Sequence, residues 1–351
     1  MPQRFPPKAL EDFTAALFRR AGLDADRATA LAGALVEADL LGFTTHGLQR
    51  APSNLAWLEN GHMRKTGEPT VVRERGAVFC WDAGFLPGPW VVRRALTELA
   101  ERAGQHGIAA ATLRRCTHVA CLAVHLLPLV ERGLVGLMVV STPDERYVSP
   151  FGGREAVFSN NPVAFCAPTS GTPLLFDVSL AITAGGQIAR AALEGRRLPE
   201  PALKTADGRP TDDPTALRGD PPGTVMPIGG LGHGYKGYAL NLLAEVLSQG
   251  LSGHGRSAAV GEGEANSVFL EVIDPRAFGE WADYLTEVDH LLDACRKTAP
   301  DDPAIPVRVP GERAWQRRER ALTEGVPLPP GVLEALRPWA EKLGVAMPRP
   351  A

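Results

Sequence analysis

Residues 44–50 read Thr-Thr-His-Gly-Leu-Gln-Arg, a polar turn that places the hydroxyl of Thr45, the imidazole of His46 and the guanidinium of Arg50 close together in sequence. An imidazole, with an ordinary pKa of about 6.5, gives or takes a proton near neutrality. A guanidinium forks onto a carboxylate through two parallel charge-assisted hydrogen bonds. A second histidine, His118, stands in Thr117-His118-Val119-Ala120, and Asp177 ends the apolar run Leu174-Leu175-Phe176. Each has an ordinary alternative. A lone loop histidine also serves as a surface or capping residue, Arg50 as a solvated helix-face residue, and His118 as the cap of the helix that follows it.

A different kind of chemistry is suggested by Gly230-Leu231-Gly232-His233-Gly234-Tyr235-Lys236-Gly237, which contains a formal G-x-G-x-x-G. In a dinucleotide fingerprint the glycines follow a buried strand, and an acidic residue about 20 positions on reads the ribose. Here the preceding residues, 222–229, make no convincing strand, and a helix occupies the span where the acid belongs. A phosphate-binding P-loop also fails, because Tyr235 separates Gly234 from Lys236 and G-K-[ST] is absent. What is left is a flexible glycine run, one lysine and a helix N-terminus whose free N–H groups suit an anion.

The elements that must hold these groups follow from periodicity. Helices are predicted over Ala9–Arg20 and Asp26–Leu41, with Gly22 between them and Asp24 as N-cap of the second, and a third over Gly47–Asn60 stopping at Gly61. Short strands follow at Thr70–Arg73 and Ala77–Trp81. Two helix-glycine-strand units come next: Trp90–His106, Gly107 and Ile108–Leu113, then Ala120–Arg132, Gly133 and Leu134–Ser141. These define an α/β layer. Strands are expected at Val163–Ala167 and Leu174–Val178, and a surface loop with little regular structure over 194–224. A helix over Tyr238–Leu251, a strand over Ser267–Ile273 and a helix over Phe278–Lys297 follow, with final helices at 312–324 and 330–343.

With 351 residues, 44% hydrophobic and 22% charged, the chain can bury a sizeable core. A net charge of -3 with both signs interspersed offers no face for nucleic acid and no polybasic membrane patch. No signal peptide or spanning run is expected, and a cytoplasmic location follows by default. Five irregularly spaced cysteines, with no C-x-x-C pair, read as mostly buried thiols and as no metal site.

Six stretches in order then carry a resemblance: THGLQR (45–50), THVACLAVHL (117–126), SPFGGREAVFSNNPVAFCAP (149–168), FDVSLA (176–181), GYKGYALNLLAEVLSQGLSG (234–253) and VPGERAWQRRERALTEGVPLP (309–329). Together they resemble the type 2 malate/L-lactate dehydrogenase family, which also includes sulfolactate, ureidoglycolate and 2,3-diketogulonate oxidoreductases and Δ1-piperideine-2-carboxylate reductases. The resemblance covers essentially the whole chain. It implies an α/β fold with a central mixed-sheet cofactor domain that is not a Rossmann fold, spanning 76–300, and a helical domain from both chain ends, 1–75 and 301–351. It implies NADH or NADPH as cofactor, a homodimer, and hydride transfer to or from a small 2-oxo/2-hydroxy acid or cyclic 2-imino acid. Carried over, His46 is the acid/base, oriented by Thr45 and Asp177, His118 is a second acid/base candidate, and Arg50 binds the substrate carboxylate. The cofactor would be lined by Ser141, Asn161, Asp177, Val178, Ser179, Tyr235, Lys236, Pro310, Gly311 and Glu312.

The chain departs from the family pattern in places. Val119-Ala120 replaces Phe-Gly after His118, Ser159-Asn160-Asn161-Pro162 stands where Gly-Thr-Asn-Pro is usual, and Gln187 replaces a lysine. Losing hydroxyls and a lysine near a phosphate pocket weakens cofactor binding or alters its preference. A second reading therefore stays open: a non-catalytic or weakly active dimeric binding protein on the same fold.

Overall fold

The computed structural model describes residues 3–350. A short strand, β1 (Arg4–Phe5), leads into α1 (Pro7–Arg20) and α2 (Ala25–Leu41). Asp24 caps α2 by accepting the Arg27 N–H at 2.9 Å, and Gly42 ends it in the left-handed region at φ 88°. The helix expected from Gly47 begins later. Gly47 is extended at ψ −145°, which breaks the segment into two 3-10 turns, Thr44–His46 and Leu48–Arg50, ahead of α3 (Ala51–Asn60).

The next elements are β2 (Thr70–Arg75), β3 (Val78–Asp82), α4 (Gly88–His106), β4 (Ile108–Cys116), α5 (Ala123–Glu131) and β5 (Val135–Ser141). Both helix-glycine-strand units are present, although α5 starts at Ala123 rather than Ala120. Then come β6 (Val163–Ala167), β7 (Leu174–Val178), α6 (Gly185–Leu193), β8 (Leu203–Lys204), β9 (Pro210–Thr211), β10 (Thr224–Val225), α7 (Gly230–Glu245), β11 (Asn266–Ile273), α8 (Trp281–Lys297), α9 (Glu312–Glu324), β12 (Val326–Pro327) and α10 (Val332–Leu343). No helix is long and apolar enough to cross a membrane among the described residues.

Seven strands form one sheet in the order β2-β3-β4-β11-β5-β6-β7. Only β3 and β4 run parallel; the late strand β11 lies antiparallel between β4 and β5, with Phe269 opposite Thr112 on one side and Val139 on the other. This is a mixed sheet, and its order is not that of a doubly wound dinucleotide fold. The alternation of α4 and α5 buries Trp90, Val91, Ala95, Leu99, Leu126 and Leu129 on the sheet, whose facing residues include Ala111, Leu113, Met138 and Leu270.

A second core joins the two chain ends. Phe5, Leu10, Phe13 and Leu17 pack with Val326, Val332, Leu336 and Ala340, and β1 pairs with β12 through Phe5 and Val326. Helix α2 serves both cores: Ala30, Ala38 and Leu41 face the sheet side, while Leu31, Leu35 and Val36 face the terminal helices. A helix buried on both sides shows little amphipathic signal, and α2 is accordingly apolar nearly all round.

Two expectations change. Residues 194–224 are not an irregular loop. They form the small sheet β10-β8-β9 and a 3-10 turn, Pro214–Arg218, around a core that includes Val148, Phe158, Leu198, Leu203 and Val225. The glycine run 230–237 is not a loop before a helix either. It is the start of α7, with Gly234 against Phe151 and Gly237 against the backbone of Ile228, so these glycines permit close packing. Lys236 is exposed on the outer side, 5.9 Å from the Tyr235 ring centre.

Candidate active site

The turn between α2 and α3 carries Thr45, His46 and Arg50. The Thr45 hydroxyl lies 2.9 Å from His46 Nδ1, which leaves Nε2 as the outward nitrogen. Behind the turn, Asp39 of α2 accepts the Leu48 N–H at 2.8 Å through Oδ2. A Cβ on Gly47 would collide with that carboxylate, so only glycine lets the turn lie this close to α2. Asp39 is 4% exposed, and its Oδ1 has no polar partner among the described residues. Burial pushes its carboxyl up to about 7, against the opposing pull of the Leu48 N–H.

The facing wall comes from the sheet. The segment after β4 is pinned where Thr117 Oγ1 accepts the Gly88 N–H at 3.0 Å, and a Cβ on Gly88 would meet the Thr117 carbonyl. His118 follows. Its Nδ1 accepts the Ala120 N–H at 3.1 Å, so the neutral ring carries its proton on Nε2. His118 therefore closes its own turn and does not cap α5. The end of α5 is held instead by Asp177 on β7, whose Oδ2 accepts the N–H groups of Leu122 (2.7 Å) and Ala123 (3.1 Å) and the Cys121 thiol (3.2 Å). His125 bonds the Val119 carbonyl at 2.7 Å and is buried, a structural role.

These walls enclose a cleft of about 900 Å³ lined by Thr45, His46, Arg50, His118, Asp177 and Ser179, with Asn160, Asn161 and the residues that open α6. The two imidazoles lie face to face, with centroids 5.6 Å apart and planes 23° apart. His46 is exposed at the cleft and His118 is half-buried, and packed protein partly shields both rings from solvent. Desolvation by the surrounding protein lowers the His46 pKa; Asp177 raises it in part and Arg50 lowers it further. His118 is held well below the ordinary imidazole range by burial, then by Arg50 and His46. Asp177 acts on His46 through its charge, since its recorded hydrogen bonds go to the start of α5. A second cavity of about 500 Å³, between α1, α2, α4 and α5, contains none of these residues.

The features of a nicotinamide site are partly present. Ala184, Gly185 and Gly186 put the uncapped N-terminus of α6 on the cleft, where first-turn N–H groups suit a phosphate-bearing ligand. Asn160 Oδ1 on the same cleft is buried without a polar partner among the described residues. This donor and acceptor set fits a group that bears both phosphates and an amide. Of the expected lining residues, Asn161, Asp177 and Ser179 reach the cleft. Ser141 is buried, with its hydroxyl bonded to Ser248 and Gln249. Val178, Tyr235 and Lys236 are exposed outside it. Pro310 accepts the Leu175 N–H at 3.4 Å and Glu312 binds Arg296, which puts the 310–312 turn against β7 and away from the histidines.

Two residues escape a reading by motif. Asp39 is a buried carboxylate under the His46 turn, and the only sequence signal is an acid within the apolar C-terminal part of α2. Glu264 lies just ahead of β11 and forms an ion pair with Arg50, Nη2 to Oε1, at 2.7 Å. Nothing in sequence links positions so far apart.

The chain is similar to known proteins along most of its length. The family model for malate/L-lactate dehydrogenase matches residues 5–337. A Δ1-pyrroline-2-carboxylate reductase from Ancylobacter novellus is 32% identical over 332 residues, 91% of this chain and 93% of that protein. An L-lactate dehydrogenase from Cupriavidus necator is 31% identical over 333 residues, 92% and 93% of the two chains. The crystal structure of Δ1-piperideine-2-carboxylate reductase from Pseudomonas syringae pvar. tomato superposes with a TM-score of 0.85 at 29% identity, covering 96% of this chain and all of that one.

Proposed function

The chain belongs to the malate/L-lactate dehydrogenase family, and on that premise we propose that it is a nicotinamide-dependent oxidoreductase acting on a small 2-oxo/2-hydroxy monocarboxylate or a cyclic 2-imino acid. The observation that supports this most is the meeting of the Thr45-His46-Arg50 turn with His118 and Asp177 in one cleft. When bound, NADH or NADPH would supply the hydride in reduction, and the oxidised cofactor would take it up in oxidation.

His46 is the proton carrier. Nδ1 is engaged by Thr45, so Nε2 gives the proton to the substrate oxygen or nitrogen in reduction and takes it in oxidation. A depressed pKa makes the protonated ring a stronger acid, and the Asp177 charge limits that depression. His118, with Nδ1 already accepting the Ala120 N–H, offers Nε2–H as a hydrogen-bond donor to the same substrate atom. Arg50 binds the carboxylate. We assign Asn161, Asp177, Ser179 and the start of α6 to the cofactor.

We also assign a second copy of the chain to the outward face of α7 and the turn that follows it, where Leu231, Tyr235, Leu242, Leu243 and Val246 are exposed. Sedimentation equilibrium tests this, and a monomer at micromolar concentration would remove it. The activity is tested by following NADH and NADPH oxidation with a panel of 2-oxo acids and cyclic 2-imino acids. Turnover with either cofactor is expected. No turnover, together with no thermal stabilisation by either cofactor at millimolar concentration, would leave a binding protein on the same fold.

A further inference from the structure

The Arg50 end of the cleft is crowded with carboxylates. Glu264 sits on the guanidinium itself at 2.7 Å, with side-chain exposures of 27% for Arg50 and 43% for Glu264. Glu145 lies near both, within reach of their charges, and Asp144 lines the same cleft. A neighbouring guanidinium, Arg256, is committed to Glu245 at 2.6 Å and to the carbonyls of Pro143 and Glu145. Arg50 therefore faces Glu264 directly and Glu145 nearby, while Arg256 is held chiefly by Glu245. The strain of this shows at Glu145, whose carboxyl is pushed up by burial and then by Glu264, against the pull of Arg256 and Arg50.

Glu264 is placed by its backbone. Its carbonyl lies 2.9 Å from His62 Nε2, and two residues later Asn266 bonds the Val119 N–H and the Thr142 hydroxyl. The side chain hangs from this fixed segment and can swing without moving β11. A substrate carboxylate arriving at Arg50 meets another carboxylate already there. Exchange of one for the other keeps the pair count constant, but the displaced Glu264 stays tethered within a few ångströms, beside Glu145.

We propose that Glu264 sets the charge selectivity of the site: it holds the place of the substrate carboxylate on Arg50 and, once displaced, joins Glu145 in disfavouring a second anionic group on the substrate. The inference rests on the assignment of Arg50 as the carboxylate-binding residue. It restricts the substrate class to acids with a single carboxylate, and favours those whose C2 substituent is a protonated imine nitrogen over dicarboxylic and sulfonated 2-oxo acids. A cation between Glu145 and Glu264 relieves their repulsion, whereas a second anion adds to it.

The test compares KM for pyruvate, oxaloacetate and Δ1-pyrroline-2-carboxylate in wild type, Glu264→Gln, Glu264→Asp and Glu145→Gln. Glu264→Gln is expected to lower KM for pyruvate about 3- to 10-fold and for oxaloacetate roughly 10-fold more than that, with the change larger in KM than in kcat. The preference for the imino acid over pyruvate should shrink in Glu264→Gln and in Glu145→Gln, and Glu264→Asp should keep it. A rise in KM for all three substrates in Glu264→Gln would make Glu264 a support for Arg50 and overturn the proposal. An equal fall for pyruvate and oxaloacetate would overturn it too, since the residue would then compete without filtering. If wild type turned over none of the three, calorimetry with oxamate and malonate would read the same difference without turnover. Failure of wild type and Glu264→Gln alike to bind either probe would sink the role of Arg50, whereas binding with no change in Glu264→Gln would sink only that of Glu264.

Discussion

The two walls of the cleft are built differently. On the sheet side, two of the polar groups are tied into the fold: His118 Nδ1 accepts the Ala120 N–H, and Asp177 Oδ2 accepts two backbone N–H groups and a thiol. On the helical side, the His46 ring has only its neighbour Thr45 as a polar partner among the described residues, and Arg50 has a single displaceable carboxylate. A group satisfied by its own fold gives shape, and a group left partly unsatisfied gives reactivity. The helical wall should therefore lose activity when altered, and the sheet wall mainly stability or pH response.

The sharpest way to break this division is at His46. Replacement by Ala or Asn is expected to lower turnover by about two to four orders of magnitude, the usual contribution of a positioned acid/base group, with cofactor binding measured by calorimetry nearly unchanged. If His118→Ala produced the loss and His46→Ala did not, the reactive wall would be the sheet side. Arg50→Lys comes next. Loss of the two-pronged geometry should raise KM about 10- to 100-fold for a 2-oxo acid and leave kcat less affected. Unaltered KM would mean that the carboxylate is held elsewhere.

The smallest effect probes what lies behind the helical wall. Asp39 has a folded-state pKa of about 7, above the ordinary carboxylate value of 3.8. Between those values the folded chain keeps a proton that the unfolded chain releases. The resulting stabilisation is present in full below pH 4 and is lost as pH rises through 7. In Asp39→Asn this loss disappears while the amide oxygen still accepts the Leu48 N–H. Denaturant titrations from pH 5 to 8 should move in favour of the variant by on the order of 2 kcal/mol, once relaxation of the buried site is allowed for. Parallel stability curves for the two proteins would show that Asp39 is ionised throughout.

Much of this architecture is legible in the sequence where contacts are local. The helix-glycine-strand units, the Asp24 cap and the turn carrying His46 announce themselves within a dozen residues, and ordered motifs mark the family even where the G-x-G-x-x-G does not mean a dinucleotide fold. What is hidden depends on partners far along the chain. The pairing of Arg50 with Glu264 spans 214 residues, Asp177 reaches back to the start of α5, and residues 194–224 form strands only because Val148 and Phe158 supply the rest of their core. The start of α7 is hidden for another reason. A run of glycines has poor intrinsic helix propensity, and packing against Phe151 and Ile228 overrides it.

The position of β11 bears on how the chain comes to be made. β4 and β5 meet only through a strand supplied by residues 266–273. As the polypeptide leaves the ribosome, both present an unpaired inner edge until most of the chain has emerged, and such edges invite pairing with other nascent chains. Helix α10, which finishes the packing around α1, comes later still. The sheet is thus most vulnerable before it is complete, and the yield of native protein depends on the tempo of synthesis and on chaperone cover as much as on the stability of the finished molecule.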